Sequence, residues 1–349
     1  MATTREQAAP TDLNVVLTPE WLGSALGVSL DSVEVVETFV SVARKVRLRV
    51  LESGTADGSQ SRAVFVKGIF DPGHLTPVMS SSSQTEARFY RDLVGGLGIN
   101  HPPVRYVGID PTVGHGLLVM DDISVSGARF LQVLSPYTRG QALASLDQIA
   151  QLHASHWNST RLPGYQWMVS RLATVAARPW LPDADLQDLL VDGRIAGLPS
   201  ELADAGRIHR ALAALADRVE GRGETLVHGD AHAGNLYELN GSVSLIDWQL
   251  VQRSHWSIDV AYHVAAALSV DDRRASERDL IAHYLERLAA YGVEAPTFEE
   301  AFSDYRAAMV YGFYMWAITR RVDRPITVEL NQRLGAAVAD LGTFGVLGV

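Results

Sequence analysis

The 349-residue chain contains no cysteine. That excludes a disulfide framework, cysteine-ligated zinc and thiol catalysis, and it suits a reducing compartment. Long apolar runs are missing as well, none approaching the ~20 residues of a membrane-spanning helix. Met1 to Asp12 is polar, with one arginine and no apolar centre, so no secretory signal is expected. Nor is there a cationic excess: 40 acidic residues against 30 lysines and arginines leave a net charge of −10, which would repel nucleic-acid phosphates. No internal repeat or low-complexity block appears. The expectation is a cytoplasmic protein with no membrane or nucleic-acid partner. At 47% apolar residues it is long enough for two lobes and a sizeable core.

What is present concentrates between residues 226 and 249. Leu226-Val227-His228-Gly229-Asp230-Ala231-His232-Ala233-Gly234-Asn235-Leu236-Tyr237 is followed by Ser244-Leu245-Ile246-Asp247-Trp248-Gln249. The runs Asn235–Leu239 and Ser242–Ile246 flank Asn240-Gly241. That dipeptide is the strongest two-residue hairpin signal, because both centres of a type I′ turn need positive φ. Counting back pairs Leu239 with Ser242, Leu236 with Leu245 and Asn235 with Ile246. Asp247 then falls one step past the partner of Asn235, at the open end, and Asp230 lies in the loop entering the first strand. Two oxygen ligands, from Asn235 and Asp247, suit Mg²⁺, which takes few protein ligands. A further carboxylate, Asp230, can receive a substrate hydroxyl; phosphoryl transfer needs this set. Each residue alone is an ordinary turn former. The compound spacing carries the reading.

A metal-dependent hydrolase is the competing chemistry. His228, Asp230 and His232 alternate as ligands on an extended segment do, a pattern open to zinc. That reading leaves Asn235 and Asp247 without a role, and no further histidine motif completes the shell.

The two segments resemble the catalytic loop and metal-binding segment of the aminoglycoside phosphotransferase-like kinases, a superfamily that includes choline kinases, macrolide kinases and the ecdysteroid kinase-like proteins. The resemblance implies an α+β, protein-kinase-like two-lobed fold, with a small β-rich N-lobe and a larger helical C-lobe. It implies ATP and Mg²⁺ as cofactors and γ-phosphate transfer to a hydroxyl of a small metabolite or antibiotic. Asp230 becomes the catalytic base, Asn235 and Asp247 the metal ligands, and His228 an organiser of the backbone. Asp259, in Ser257-Ile258-Asp259, matches an Asp that accepts amide hydrogens from the catalytic loop, although a helix-start Asp favoured by the dipole explains it equally.

On the nucleotide side, Lys67 ends Ala63-Val64-Phe65-Val66-Lys67 and matches the strand lysine that contacts the α- and β-phosphates. Glu86 is the candidate partner, while Ser83-Gln84-Thr85-Glu86 also reads as a capping box. Met120 and Asp122 match the hinge that meets the adenine edge. Phe39 to Val46 contains no glycine, so no glycine loop covers the phosphates, and Ser41 and Arg44 are the candidates there. The same fold also carries non-catalytic nucleotide-binding modules. Such a module would usually have lost one of Lys67, Asp230, Asn235 and Asp247, all of which are retained.

Residues 1–12 read as a disordered tail, and the resemblance divides the rest into a nucleotide-binding lobe (13–120) and a helical catalytic and substrate lobe (121–349). β-rich runs are predicted over 33–40, 46–50, 62–69, 104–108 and 116–120, with a helix over 84–94. Later helices are predicted near 138–157, 207–219, 258–268, 278–291, 298–320 and 328–341. The partner is a small hydroxylated substrate. The stretch 157–198 and the aromatics Tyr311, Phe313, Tyr314 and Trp316 could cage an ammonium or stack on a ring, or form core. Leu152-His153-Ala154 and Ile246-Asp247-Trp248-Gln249 resemble the ecdysteroid kinase-like branch, which points to a bulky hydroxylated metabolite before an aminoglycoside.

Overall fold

Residues 9–40, 43–54, 60–71, 73 and 77–349 are described by the structure, a computed structural model. Ser41 and the first eight residues of the expected tail lie outside them. The chain divides into two compact units. The first comprises Met1–Gly96, Asn100–Arg129 and Asp247–Leu250; the second comprises Leu97–Ile99, Phe130–Ile246 and Val251–Val349. The architecture is the expected α+β, protein-kinase-like one: a sheet-based N-terminal unit and a helical C-terminal unit.

The first unit holds an antiparallel sheet of β1 (Leu30–Val40), β2 (Arg44–Glu52), β3 (Gln60–Gly68), β4 (Val104–Asp110) and β5 (His115–Asp121), in the order β1-β2-β3-β5-β4. Its helices are α1 (Leu13–Val16), α2 (Pro19–Leu26) and α3 (Pro77–Asp92). Period-two alternation sets the faces. Val46, Leu48 and Val50 of β2 and Val64 and Val66 of β3 are buried with Val16 and Leu22 of the first two helices. Lys45, Arg47, Phe65 and Lys67 therefore point to the opposite face. Thr18 caps α2 by accepting the Trp21 amide hydrogen at 3.2 Å. Ala9 is buried against the core and Asp12 caps α1, so the chain is ordered before residue 13.

Helix α3 begins at Pro77, seven residues before the expected Gln84. Its early turns are serine-rich and carry no apolar stripe, which hid them from periodicity. Ser83 is thus inside the helix and forms no capping box with Glu86. Its hydroxyl instead exchanges two 3.0 Å hydrogen bonds with the backbone of Gly116 on β5. A Cβ at Gly116 would collide with the Ser83 carbonyl, so this close approach requires glycine.

The short strand β6 (Arg129–Phe130) falls where the chain passes from the first unit to the second; in the second unit β8 (Leu236–Leu239) and β9 (Ser242–Leu245) form a hairpin, while β7 (Glu224–Val227) pairs with β10 (Gln252–His255). The hairpin register is the expected one, Leu236 opposite Leu245 and Leu239 opposite Ser242, and Asn240 and Gly241 both have positive φ (53° and 77°). The helices are α4 (Arg139–Ser155), α5 (Arg171–Ala177), α6 (Asp183–Leu189), α7 (Ala205–Val219), α8 (Ser257–Ala267), α9 (Val270–Ala290), α10 (Phe298–Ala317), α11 (Arg324–Asp340) and α12 (Thr343–Leu347). Thr138 and Gln141 form the expected capping box on α4.

Every residue of α8 is buried, and it packs on α10. Helix α9 starts eight residues before the expected Arg278, because its first turns are charged rather than apolar. Within them Arg273 is fully buried and paired with Glu277 and Asp340. Tyr311, Phe313 and Tyr314 are fully buried, so they are core rather than a cage; Trp316 is 6% exposed. Among the described residues no helix is long and apolar enough to cross a membrane.

Candidate active site

In the second unit the loop between β7 and the hairpin is fixed from behind. Asp259, buried at the start of α8, accepts the His228 amide hydrogen at 2.5 Å and the Gly229 amide hydrogen at 2.7 Å. His153 of α4 adds a bond at 3.3 Å, and its other ring nitrogen meets the Tyr284 hydroxyl at 2.7 Å. Burial opposes the ionised Asp259, but the bond from His153, the electrostatic attraction of that ring and the Gly229 amide outweigh it and hold the pKa below the usual carboxylate range. His228 spends both ring nitrogens on the backbone. Nδ1 accepts the Asp230 amide hydrogen at 3.2 Å and Nε2 donates to the Ile246 carbonyl at 2.9 Å, tying the loop to the far strand of the hairpin. Gly229 supplies the positive φ (81°) that turns the chain here.

Asp230 projects from this fixed loop. Its Oδ1 accepts the Tyr262 hydroxyl hydrogen at 2.7 Å and its Oδ2 accepts an Asn235 Nδ2 hydrogen at 3.1 Å. Asn235 also donates Nδ2 to the Asp230 carbonyl at 2.9 Å, and its own carbonyl accepts the Ile246 amide hydrogen at 2.9 Å. With its amide nitrogen committed, Asn235 presents Oδ1 as the atom suited to a hard cation. Trp316 of α10 donates its indole N–H to the Tyr262 oxygen. The His232 ring lies edge-on to Trp316, centroids 5.3 Å apart, and its Nδ1 accepts the Gly234 amide hydrogen. With His228 turned to the backbone, no group of three His, Asp or Glu side chains among the described residues is arranged to hold a metal, as the zinc alternative would need.

In the first unit, the face of the sheet opposite the α1 and α2 core carries a four-membered charge cluster. Lys67 Nζ lies 2.7 Å from Glu86 Oε2 and 2.9 Å from Asp247 Oδ1, and Lys45 Nζ lies 3.3 Å from Asp247 Oδ2. Burial alone would lower the Lys67 pKa, but Asp247 and then Glu86 reverse that and raise it. Burial raises Glu86, and the attraction of Lys67 offsets it only in part. For Asp247 burial is outweighed by Lys67 and Lys45, which keep the carboxylate ionised well below its usual range. Asp247 has φ +66°, a left-handed conformation that Asp tolerates better than most residues. The segment is anchored one residue on, where Trp248 stacks on Phe89 of α3 at 4.0 Å with the rings 13° from parallel.

The strand and turn read as a hinge are more committed than expected. Met120 is buried in β5, opposite Phe65 on one side and Val104 on the other. The Asp122 amide hydrogen goes to the Ala63 carbonyl, its Oδ1 caps the Ser124 amide and its Oδ2 pairs with Arg47 Nε at 3.2 Å. Arg44 opens β2 opposite Gly68.

A model of the phosphotransferase enzyme family matches residues 82–301. The chain belongs to that family. Solved structures of the same fold include choline kinase LicA from Streptococcus pneumoniae, at 15% identity and TM-score 0.50, covering 92% of this chain and 97% of that one. A microcompartment-associated aminopropanol kinase matches at 14% identity and TM-score 0.53, covering 95% and 97%. The GDP complex of an aminoglycoside 2'-phosphotransferase-IIIa mutant matches at 11% identity and TM-score 0.50, covering 95% and 96%. No curated protein sequence matches.

Three residues around this phosphotransferase's clusters escaped the motif reading. Lys45 is opposite Lys67 across β2 and β3, a register invisible without the length of the turn between them. Tyr262 stands one helical turn after Asp259, so the motif residue already marked its face. Trp316 was read only as one of the late-helix aromatics; its bond to Tyr262, 54 residues away, had no local signal.

Proposed function

We propose that this chain is an ATP-dependent, Mg²⁺-requiring kinase that phosphorylates a hydroxyl of a small molecule. The observation that carries it is Asp230: its carboxylate is gripped on one oxygen by Tyr262 and on the other by Asn235, in a loop whose amides end on buried Asp259. Such fixing of a carboxylate suits positioning an acceptor more than holding a fold together. Lys67, oriented by Glu86, takes the α- and β-phosphates. Asn235 and Asp247 supply the oxygen ligands for Mg²⁺. The bound ion neutralises charge on the β- and γ-phosphates.

In the reaction the acceptor oxygen forms a bond to the γ-phosphorus as the bond from that phosphorus to the bridging oxygen of ADP breaks. The hydroxyl proton passes late to Asp230, since a loose transition state needs little early deprotonation. Met120 and the Asp122 carbonyl border the adenine, and Ser41 and Arg44 are the candidates for further phosphate contact. The GDP bound to the aminoglycoside phosphotransferase makes a guanine nucleotide the second one to assay. For the acceptor, the motif likeness favours a bulky hydroxylated metabolite, and the net charge of −10 favours a cation such as an aminoglycoside as runner-up.

The test is a screen for acceptor-dependent ADP release with Mg²⁺ and ATP over apolar alcohols, amino alcohols and aminoglycosides, with Asp230→Asn as control. Turnover by the wild type and not by the control supports the reading. Nucleotide binding with no turnover on any panel would leave a non-catalytic module, and no nucleotide binding at all would overturn the assignment. Robust turnover of kanamycin-type amines with none on apolar alcohols reverses the order of acceptors.

A further inference from the structure

Lys45 and Lys67 stand directly opposite each other in the β2–β3 ladder. Like charges in that position destabilise an antiparallel pair, so the arrangement needs a reason. Both ammoniums end on one carboxylate, Lys67 on Asp247 Oδ1 and Lys45 on Oδ2. In other respects they differ. The Lys67 side chain is 6% exposed and has Glu86 as a second partner, whereas that of Lys45 is 32% exposed.

As a stabilising ion pair Lys45 is poorly placed, because a partly exposed pair gains little and the lysine opposite repels it. As a phosphate ligand it is well placed. Two ammoniums and two carboxylates make the cluster neutral; without Lys45 it would carry an excess negative charge and oppose a triphosphate. The sequence from Phe39 to Val46 has no glycine, so the chain lacks the residues with which a glycine-rich turn brings its amides close to phosphates.

We propose that Lys45 is a second phosphate-binding lysine, held by Asp247 until a nucleoside triphosphate arrives and then shared with its terminal phosphates. The inference rests on the nucleotide reading above. Lys45 supplies from a side chain the positive charge that a glycine-rich turn supplies from its backbone. Because its stem is long and its head reaches water, the ammonium can leave Asp247 for phosphate without rearrangement of the sheet.

The experiment measures binding by calorimetry of the non-hydrolysable analogue AMP-PNP with Mg²⁺, and of AMP, to the wild type and to Lys45→Ala, Lys45→Gln and Lys45→Arg. Thermal melting without ligand checks that each variant is folded. The Ala and Gln variants are expected to bind AMP-PNP on the order of 10-fold more weakly, as loss of a charged hydrogen bond requires. AMP, which lacks the terminal phosphates, should bind within about twofold of the wild type, and Lys45→Arg should recover most of the AMP-PNP affinity. If either folded neutral variant binds AMP-PNP as the wild type does, the role of Lys45 is overturned while the nucleotide reading stands. If AMP and AMP-PNP weaken equally, Lys45 acts on the site in general and not on the terminal phosphates, which also overturns it. A wild type that binds neither compound would instead remove the nucleotide reading itself.

Discussion

Tyr262 gives its hydroxyl hydrogen to Asp230 Oδ1 while its oxygen receives the indole hydrogen of Trp316. The chain of donors therefore runs one way, from α10 through α8 to the proposed base. Burial, and then the Asp230 carboxylate, hold the phenol pKa well above its ordinary value, so the group stays a donor. Tyr262→Phe removes the donor but keeps the ring. We expect kcat to fall roughly 10-fold, with nucleotide affinity within a few fold of wild type. Trp316→Phe should lower kcat in the same direction by less. Steady-state kinetics on the acceptor found by screening checks both, and unchanged kcat in Tyr262→Phe would show that Asn235 alone positions the carboxylate.

Asp230 and Asp247 should separate by phenotype. Asp230→Asn is expected to lose about 10²-fold or more in turnover and to keep its affinity for ATP within a few fold. Asp247→Ala should lose Mg²⁺-dependent nucleotide binding as well as rate, because its carboxylate is assigned to the ion. Titrations of ATP with and without Mg²⁺ read the difference directly; identical behaviour of the two variants contradicts the division of roles.

Glu86 is the buried partner that Lys67 keeps whatever happens at Asp247. Glu86→Gln leaves the ammonium with one carboxylate in place of two, in a site where both side chains are almost fully buried. Breaking such a pair costs on the order of 3 kcal/mol. A lowered urea midpoint, with nucleotide affinity down several fold, is the expected result. Full stability with full affinity would show that Asp247 suffices.

The hairpin was legible because its information is local. Asn240-Gly241 fixes the turn, the turn fixes the register, and the register fixes where Asn235 and Ile246 meet. Lys67 was readable from its strand and Asp259 from its helix start. Helix α3 was read short because serines carry no apolar period, and the same gap in the signal turned Ser83 into an apparent cap. The contacts of Lys45 and Trp316 were not legible: their partners lie 202 and 54 residues away, and no propensity or spacing rule reaches that far.

Two buried histidines give the fold an acid limit above the range of its carboxylates. Burial lowers His263 to about 4, against a raising contribution from the Ala231 carbonyl, and burial with Arg222, His153 and Arg218 lowers His255 to about 3. In the unfolded chain both titrate near ~6.5. The unfolded state thus takes up protons first as pH falls, so their contribution is full above that value and is lost on the way down to about 4 for His263 and about 3 for His255. At ~1.4 kcal/mol per unit, His263 alone accounts for on the order of 3 kcal/mol. Urea denaturation at pH 7.5 and 4.5 should show this loss, in a window where the depressed carboxylates have yet to titrate. Equal midpoints would show that the histidines find a relaxed, solvated state.

The chain leaves its first unit after Arg129 and returns to it only for Asp247–Leu250. During translation, Lys67 must therefore wait 180 residues for Asp247. At ~5–20 residues per second that delay is roughly 10–40 s. For that time the nascent sheet carries a lysine with half its counter-charge, and Phe89 without the indole that covers it. A message truncated before codon 247 would yield a sheet that keeps Lys45 and Lys67 but lacks the carboxylate on which both ammoniums end.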